Sequence, residues 1–170
     1  VPFGEFLPLE NFLNNFGFKK ITEGHGSFLK GKKNTNLFVN NLNILPLICY
    51  EIIFTNLLHK SDNNTNLIIN ISEDGWFGKS IGPEQHLSHS IFRSIEEGKN
   101  VFRSTNNGVS AHINPKGQII NQIKEKGFFD VSSIKRVKKT FFAENGNKIF
   151  FYFVLFYITL IMFLKIRENK

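Results

Sequence analysis

Residues 42–50 read LNILPLICY, an apolar run from which the fold class can be inferred. A continuous run of this length predicts a strand that is buried on both faces of a sheet. Pro46 lacks a backbone donor, so we expect an edge or a bulge at that position. Residues 52–60 (IIFTNLLHK) then show helical spacing. The stretch therefore predicts a strand followed directly by a helix, as in an α/β sheet.

The chain continues this alternation of strands and helices. Pro83 suits the first turn of a helix. Leu87, Ile91 and Ile95 recur every four residues, so one face of this helix is expected to pack against a sheet. The helix that begins at Pro83 is predicted to continue to residue 99. The other predicted elements are strands at 66–72, 101–105 and 128–132, and a hairpin that pairs 110–114 with 118–122. Together they predict a layered α/β sheet domain.

The net charge of +7 comes from 21 Lys and Arg against 14 Asp and Glu, and it is unevenly distributed. Residues 135–170 hold eight basic and two acidic residues, whereas residues 1–134 are nearly neutral. A nucleic-acid-binding domain would carry its basic residues along a face of the folded part. The distribution therefore argues against a nucleic-acid partner and indicates a basic C-terminal tail.

The basic tail encloses an apolar run, residues 149–164 (IFFYFVLFYITLIMFL), without a charge, proline or glycine. As a helix this run would be about 24 Å long, a little less than the hydrocarbon core of a bilayer. A buried core helix is the alternative, but the run is apolar on all sides, so we predict a transmembrane helix. Basic residues at both ends leave its orientation open. A long exported N-terminal domain would put Lys165, Arg167 and Lys170 on the cytoplasmic side.

Cys49 is the only cysteine, which excludes a disulfide scaffold. It stands at the end of the predicted strand, where a strand-to-helix turn would expose its side chain at the carboxyl edge of the sheet. Backbone N–H groups at such a turn favour a thiolate and an oxyanion, as nucleophilic catalysis requires. A lone cysteine in an apolar strand is more often a packing residue, so position alone leaves both interpretations open.

Five segments favour a catalytic role for Cys49 over a packing role, because they occur together and in order. They are VPFGE at 1–5, ICYEIIF at 48–54, EDGWFG at 73–78, GPEQHL at 82–87 and RSTNNGVSA at 103–111. In this order and spacing they resemble the nitrilase superfamily and, within it, the C-terminal part of the apolipoprotein N-acyltransferase family. The resemblance covers nearly all of residues 1–134, and the C-terminal apolar helix extends it to the end of the chain.

This resemblance implies a four-layer αββα sandwich, present here in part, followed by one C-terminal transmembrane helix. It also implies a Glu–Lys–Cys triad without metal or cofactor. The thiolate takes an acyl chain from a phospholipid and forms a thioester. The α-amine of a diacylglyceryl-cysteine apolipoprotein then attacks the thioester and receives the chain as an amide. Phospholipid, apolipoprotein and membrane are therefore the expected partners.

Residue by residue, the resemblance assigns roles to five positions. Cys49 matches the nucleophile, and Glu5 matches an additional active-site glutamate on a neighbouring loop. Tyr50 and Glu51 match the two residues after the nucleophile that are implicated in activity. Trp76 matches a tryptophan near the lipid entrance. The triad's lysine and glutamate match positions before the first residue of this chain, so we expect a fragment that is catalytically incomplete by itself.

Several of these residues also have plainer interpretations. Without the resemblance, Glu5 and Glu51 would be ordinary loop carboxylates. His86 and His89 have a helical spacing compatible with metal binding, but without a third ligand we expect helix-surface histidines. Where the family pattern has Ser-Asn-Asp, this chain has Glu at position 73, and this added negative charge is expected to raise the pKa of a nearby carboxyl or thiol.

The expected organisation has four parts. They are the C-terminal part of a nitrilase-like catalytic domain at 1–134, a basic juxtamembrane linker at 135–148, a transmembrane helix at 149–164 and a basic cytoplasmic tail at 165–170. We expect an enzyme of bacterial lipoprotein maturation in the inner membrane, with its catalytic domain on the periplasmic side. The alternatives are a membrane-tethered nitrilase-type amidase and an inactive truncated membrane protein.

Overall fold

The computed structural model describes residues 9–19, 36–55, 64–131, 134 and 137–168. Its helices are α1 (Glu10–Asn14), α2 (Gly82–Glu97), α3 (Phe141–Asn145) and α4 (Lys148–Glu168). Its strands are β1 (Leu37–Val39), β2 (Leu42–Ile48), β3 (Leu67–Glu73), β4 (Asn100–Asn106), β5 (Ser110–Ile113) and β6 (Ile119–Ile123). Two short 3₁₀ turns, Cys49–Ile53 and Gly75–Phe77, follow β2 and β3.

The described strands form one six-stranded sheet whose order in space is their order in the chain. The central strands β2, β3 and β4 are parallel, while β1, β5 and β6 run antiparallel to their neighbours. The register places Leu45 beside Ile68, and Ile68 beside Val101. The three parallel strands therefore end at a common edge, which we call the carboxyl edge, and Cys49 lies there directly after β2.

Helix α2 covers one face of the sheet. Leu45, Ile68 and Val101 are buried on this face, and Leu87 and Ile91 of α2 pack against them. The four-residue repeat of the helix thus lies against the sheet, as the sequence predicts. Gly98 ends the helix in a left-handed conformation (φ +63°), which glycine adopts without the strain that a Cβ would add.

The opposite face of the sheet is exposed near the carboxyl edge within the described part of the chain. Ile48 and Ile71 are neighbours across β2 and β3, and they are 60% and 61% exposed. The described residues therefore supply one helical layer and one sheet layer.

Most predicted elements are confirmed, and two differ. The strand predicted at 128–132 is wrong over the described residues 128–131, which have no regular structure, and Phe128 is 87% exposed. The helix predicted at 52–60 is a 3₁₀ turn in its described part, and residues 56–60 lie outside the described residues. Pro46 is tolerated because β1 pairs with β2 only as far as Ile44, which leaves β3 as the only described partner at the proline.

Helix α4 contains the apolar run predicted to cross a membrane. It is long and apolar enough to do so by length and composition, and no residue of its window is buried. Within the described chain the helix is not buried as a core helix would be, and its crossing of a membrane stays a prediction.

The segment expected as a linker before α4 contacts the sheet domain. The hydroxyl of Thr140 accepts a hydrogen bond from Ala143 N–H (3.0 Å) and so caps α3, and it donates to the carbonyl of Glu96 in α2. Further on, the side-chain amide of Asn147 donates to the hydroxyl of Thr55 at 3.4 Å.

Candidate active site

Cys49 has a backbone conformation that is unusual for its residue type. Strand β2 ends at Ile48, and Cys49 begins the 3₁₀ turn with a φ of +51°. This left-handed region costs a residue with a Cβ about 1–2 kcal/mol. Such strain persists only where surrounding contacts impose it, and it concentrates at functional sites. The cysteine is free and half-buried, and it lies at the carboxyl edge of the sheet.

Glu51 closes the turn around Cys49. Its Oε2 accepts a hydrogen bond from the backbone N–H of Ile48 at 2.7 Å. The carboxylate of this half-buried residue therefore holds the backbone of Ile48, the residue immediately before the cysteine. This contact between Glu51 and Ile48 favours a role for Glu51 in shaping the turn at Cys49.

Tyr50 and Trp76 both lie at the carboxyl edge but in different surroundings. The ring of Tyr50 lies 5.2 Å from the ring of His86 and 6.2 Å from that of Phe77, measured between centroids. Trp76 is 71% exposed on the 3₁₀ turn that follows β3. Tyr50 is thus part of the wall beside Cys49, while Trp76 presents an apolar ring to the solvent side.

One predicted site residue, Glu5, lies outside the described residues. Among the described residues there is no group of three or more His, Cys, Asp or Glu side chains that could hold a metal ion. A cavity of about 480 Å³ does exist at the opposite edge of the sheet, where Asn43, Glu97 and Lys99 line it. Ligands of open α/β sheets bind at the carboxyl ends of the strands, so this cavity is not the candidate site.

A buried polar network lies behind Cys49, and the sequence analysis did not assign it. Asn70, in the middle of β3, is fully buried. Its Nδ2 donates to the carbonyl oxygens of Leu47 (3.2 Å) and Cys49 (3.1 Å). Its Oδ1 accepts a hydrogen bond from Nη1 of Arg103 at 2.6 Å. The strand register explains this chain of contacts, because Leu47, Asn70 and Arg103 are neighbours across β2, β3 and β4.

His86 forms a second arm of this network. Its Nε2 donates to the carbonyl oxygen of Cys49 at 3.2 Å, and its Nδ1 lies 2.9 Å from Oδ1 of Asp74. His86 is only 1% exposed, so the expectation of a helix-surface histidine is wrong for this residue. It lies on the face of α2 that packs over the end of β2. His89 is half-buried and is not a member of the network.

Charge within the network is balanced by one guanidinium and one carboxylate. Nη2 of Arg103 lies 2.5 Å from Oδ2 of Asp74, and both side chains are fully buried. Burial raises the pKa of Asp74, but the hydrogen bond and charge of Arg103 outweigh it and hold that pKa below the ordinary value. Burial, together with the charge of Arg103, lowers the pKa of His86. The carbonyl oxygen of Cys49 can only accept, so Nε2 of His86 carries a proton.

The contacts of Glu73, which departs from the family pattern Ser-Asn-Asp, explain its presence. Its Oε1 accepts from the N–H of Gly75 at 2.7 Å, and its Oε2 accepts from the side-chain amide of Asn106. The added carboxylate thus joins the Trp76 turn to the end of β4. The neighbouring carboxyl, Asp74, has a lowered pKa, in contrast to the expected rise.

The sequence contained a signal for this network. Asn70 interrupts the apolar run of β3, and Arg103 lies inside a strand that is otherwise apolar at its start. Buried polar residues in a central strand need partners, because an unpaired one costs roughly 1–3 kcal/mol. Asp74 and His86 lie in the segments that carried the resemblance, yet only the fold shows that they meet.

Comparison with known proteins identifies the family. The family model described as carbon-nitrogen hydrolase matches residues 19–128. The chain belongs to the carbon-nitrogen hydrolase family. The resemblance to the nitrilase superfamily is thereby confirmed, and with it the fold class, of which the described sheet and α2 are two layers.

Curated relatives within this family carry a more specific name. The chain is 41% identical over 150 residues to the apolipoprotein N-acyltransferase of Rhodopseudomonas palustris, covering 86% of this chain and 28% of that protein. It is 38% identical over 151 residues to the apolipoprotein N-acyltransferase of Rickettsia prowazekii, covering 86% and 30%. The chain thus spans about a third or less of the curated relatives that it matches.

Solved structures of the family add a weaker similarity. An amidase of the nitrilase superfamily from Nesterenkonia matches with a TM-score of 0.45 and 16% sequence identity. The match covers 57% of this chain and 40% of that one. The family assignment rests on the sequence match.

Proposed function

We propose that this chain is the C-terminal part of a membrane N-acyltransferase of bacterial lipoprotein maturation. The proposal depends above all on one observation: a strained, half-buried cysteine at the carboxyl edge of a carbon-nitrogen hydrolase sheet. The names of the curated relatives add the acyl-transfer chemistry. The exposed apolar helix α4 favours a membrane protein over a soluble amidase.

In the first step, the Cys49 thiolate attacks the ester carbonyl of a phospholipid. The C–S bond forms, the C–O bond breaks, and the lysophospholipid alcohol leaves with the proton that the thiol gave to a general base. The tetrahedral intermediate carries an oxyanion, which backbone N–H groups at the turn after Cys49 can stabilise. The resemblance places the base and a lysine before the first residue of this chain, with Glu5 as a further active-site carboxylate.

In the second step, the amine of a diacylglyceryl-cysteine apolipoprotein attacks the thioester. The C–N bond forms, the C–S bond breaks, and the amine proton returns to the thiolate. A thioester reacts readily with an amine and was itself formed from an ester, so the cycle needs no ATP and no cofactor. Tyr50 and Trp76 would bind the substrates, and Glu51 would maintain the turn that presents Cys49.

The same proposal fixes the orientation in the membrane. Helix α4 would cross the inner membrane, with Lys165 and Arg167 at the cytoplasmic end. The sheet domain would then lie on the periplasmic side. Exposed Trp76 suits the membrane interface, because its ring combines an apolar body with a polar N–H.

The test uses the full-length protein in detergent with phospholipid as the only acyl donor, read by intact mass. We expect an adduct of one acyl chain that hydroxylamine removes, and no adduct on the Cys49→Ala variant. Ser88→Ala, on the exposed side of α2, serves as the matched control and should form the adduct at the wild-type rate. A folded wild-type protein that never forms the adduct would contradict the proposal.

A further inference from the structure

The carbonyl oxygen of Cys49 has two side-chain donors. Nδ2 of Asn70 and Nε2 of His86 lie 3.1 and 3.2 Å from it. Both donors come from buried side chains on different elements, β3 and α2. A strand end that only needed its hydrogen bond satisfied would require one donor. The double contact therefore fixes the direction of this carbonyl.

Fixing the carbonyl also fixes the next N–H group. The described chain has no cis peptide bond, and in a trans peptide the C=O and the following N–H point in opposite directions. Because the Cys49 carbonyl is held towards the interior under α2, the N–H of Tyr50 is directed away from it. The backbone nitrogen of Tyr50 is bonded directly to Cys49, the residue that carries the thiol. An acyl group bound to Sγ of Cys49 would therefore develop its oxyanion close to this N–H group.

Arg103 orients both donors at once. Its Nη1 donates to the oxygen of the Asn70 amide, which leaves the amide nitrogen free to face Cys49. Its Nη2 donates to Oδ2 of Asp74 at 2.5 Å, and Oδ1 of the same carboxylate lies 2.9 Å from Nδ1 of His86. One buried guanidinium thus sets the amide orientation of Asn70 and holds the carboxylate that contacts the His86 ring.

We propose that Asn70 and His86 are positioning residues for acyl transfer, which hold the Cys49 carbonyl so that the Tyr50 N–H faces the developing oxyanion. Arg103 and Asp74 keep the two donors in the required orientation. This inference rests on Cys49 being the nucleophile of the proposed function. The network acts through the backbone of Cys49 and does not touch the substrate.

Two reactions of Cys49 separate positioning from mere packing. Acylation by a short-chain p-nitrophenyl ester passes through an oxyanion, with p-nitrophenolate as leaving group. Alkylation by iodoacetamide displaces iodide at a saturated carbon and forms no oxyanion. Loss of one oxyanion donor typically slows acyl transfer by about 10²- to 10³-fold, whereas alkylation reports only whether the thiol is folded, accessible and ionised.

The variants compare two amides at position 86 in the full-length protein. Gln can place its amide N–H near the position of His Nε2, while the shorter Asn cannot reach the Cys49 carbonyl. We expect His86→Gln to acylate within about threefold of wild type and His86→Asn to acylate about a hundredfold more slowly. Alkylation of both should stay within about threefold of wild type. His89→Gln and His89→Asn, one turn further along α2, are the matched controls and should leave both rates unchanged.

Two results would overturn the inference. One is equal loss of acylation and alkylation in His86→Asn, which would indicate a structural role only. The other is wild-type acylation in His86→Asn with intact folding. The proposed function fails separately: if phospholipid yields no adduct while the ester data follow the expected pattern, the donor assignment is wrong and the positioning role holds.

Discussion

At the scale of single residues, the backbone conformation of Cys49 lowers the stability of the folded protein. Its φ of +51° strains any side chain with a Cβ, whereas glycine adopts this region freely. We expect Cys49→Gly to be more stable than Cys49→Ala by about 1 kcal/mol. The measurement is thermal or denaturant unfolding of the full-length protein in detergent.

The matched control for this pair is an ordinary helical position. Ser88 is exposed in α2, where alanine should be more stable than glycine by about 1 kcal/mol. The order of the two variants should therefore reverse between positions 88 and 49. If alanine is the more stable variant at both positions, the strain at Cys49 is absent.

His86 makes stability depend on pH. Burial and the charge of Arg103 lower its pKa below the ordinary 6.5. On acidification the unfolded chain therefore takes up a proton at this position before the folded chain does, so stability falls as the pH drops from about 6.5 through the folded pKa. His86→Gln cannot titrate. From pH 7 to pH 5 we expect the melting temperature of wild type to fall further than that of His86→Gln. Parallel falls of the two melting temperatures would count against a lowered pKa of His86.

At the scale of elements, the loop between β4 and β5 fits closely around the network. A Cβ added at Gly108 would lie 2.9 Å from both Cβ and Cγ of Asp74 and closer still to its Oδ2. The carboxylate of Asp74 is restrained, because Arg103 pairs with it at 2.5 Å. We expect Gly108→Ala to destabilise the protein by about 2 kcal/mol and to slow ester acylation.

Gly127→Ala is the control for this substitution. Its added Cβ would lie no closer than 3.3 Å to Ile123, so a loss of less than about 1 kcal/mol is expected. Unfolding of the two variants under identical conditions compares them directly. Equal stability of Gly108→Ala and wild type would show that the loop does not press on Asp74.

The main elements could be predicted from local patterns. The buried strands β2 and β3 are apolar runs, and the start of α2 is marked by Pro83 in its first turn. Strand β1 escaped prediction because it has three exposed residues and no alternation. Residues 128–131 mimic a strand by composition, but they have no strand partner in the described sheet.

The candidate site could be predicted only in part, for a physical reason. Cys49, Tyr50 and Glu51 are adjacent in sequence, so one motif identified them. Asn70, Asp74, His86 and Arg103 converge through strand register and helix packing, which no single stretch of sequence encodes. The motifs contained Asp74, His86 and Arg103 but not Asn70, and the contacts with the Cys49 carbonyl required the fold.

At the scale of the whole molecule, the proposed membrane crossing by α4 would determine which side of the membrane the sheet domain faces. A reporter cysteine at position 169, in a Cys49→Ala background, should react with a membrane-impermeant maleimide only after sphaeroplasts are opened. A reporter at Lys116, in the turn of the β5–β6 hairpin, should react in intact sphaeroplasts. This difference follows if the domain is periplasmic and the basic end of α4 is cytoplasmic. Labelling of both reporters from the same side would contradict a single crossing by α4.

Transfer of the acyl chain to an amine distinguishes an acyltransferase from an amidase that shares the same cysteine. The decisive measurement follows the Cys49 adduct of the full-length protein after free phospholipid is removed. A diacylglyceryl-cysteine peptide with a free N-terminus is added, and the same peptide with an acetylated N-terminus is the control. We expect the acyl mass to leave the protein and appear on the free-amine peptide as a hydroxylamine-resistant amide, while the acetylated peptide leaves the adduct in place. Release of free fatty acid at the same rate with both peptides would contradict the proposed function.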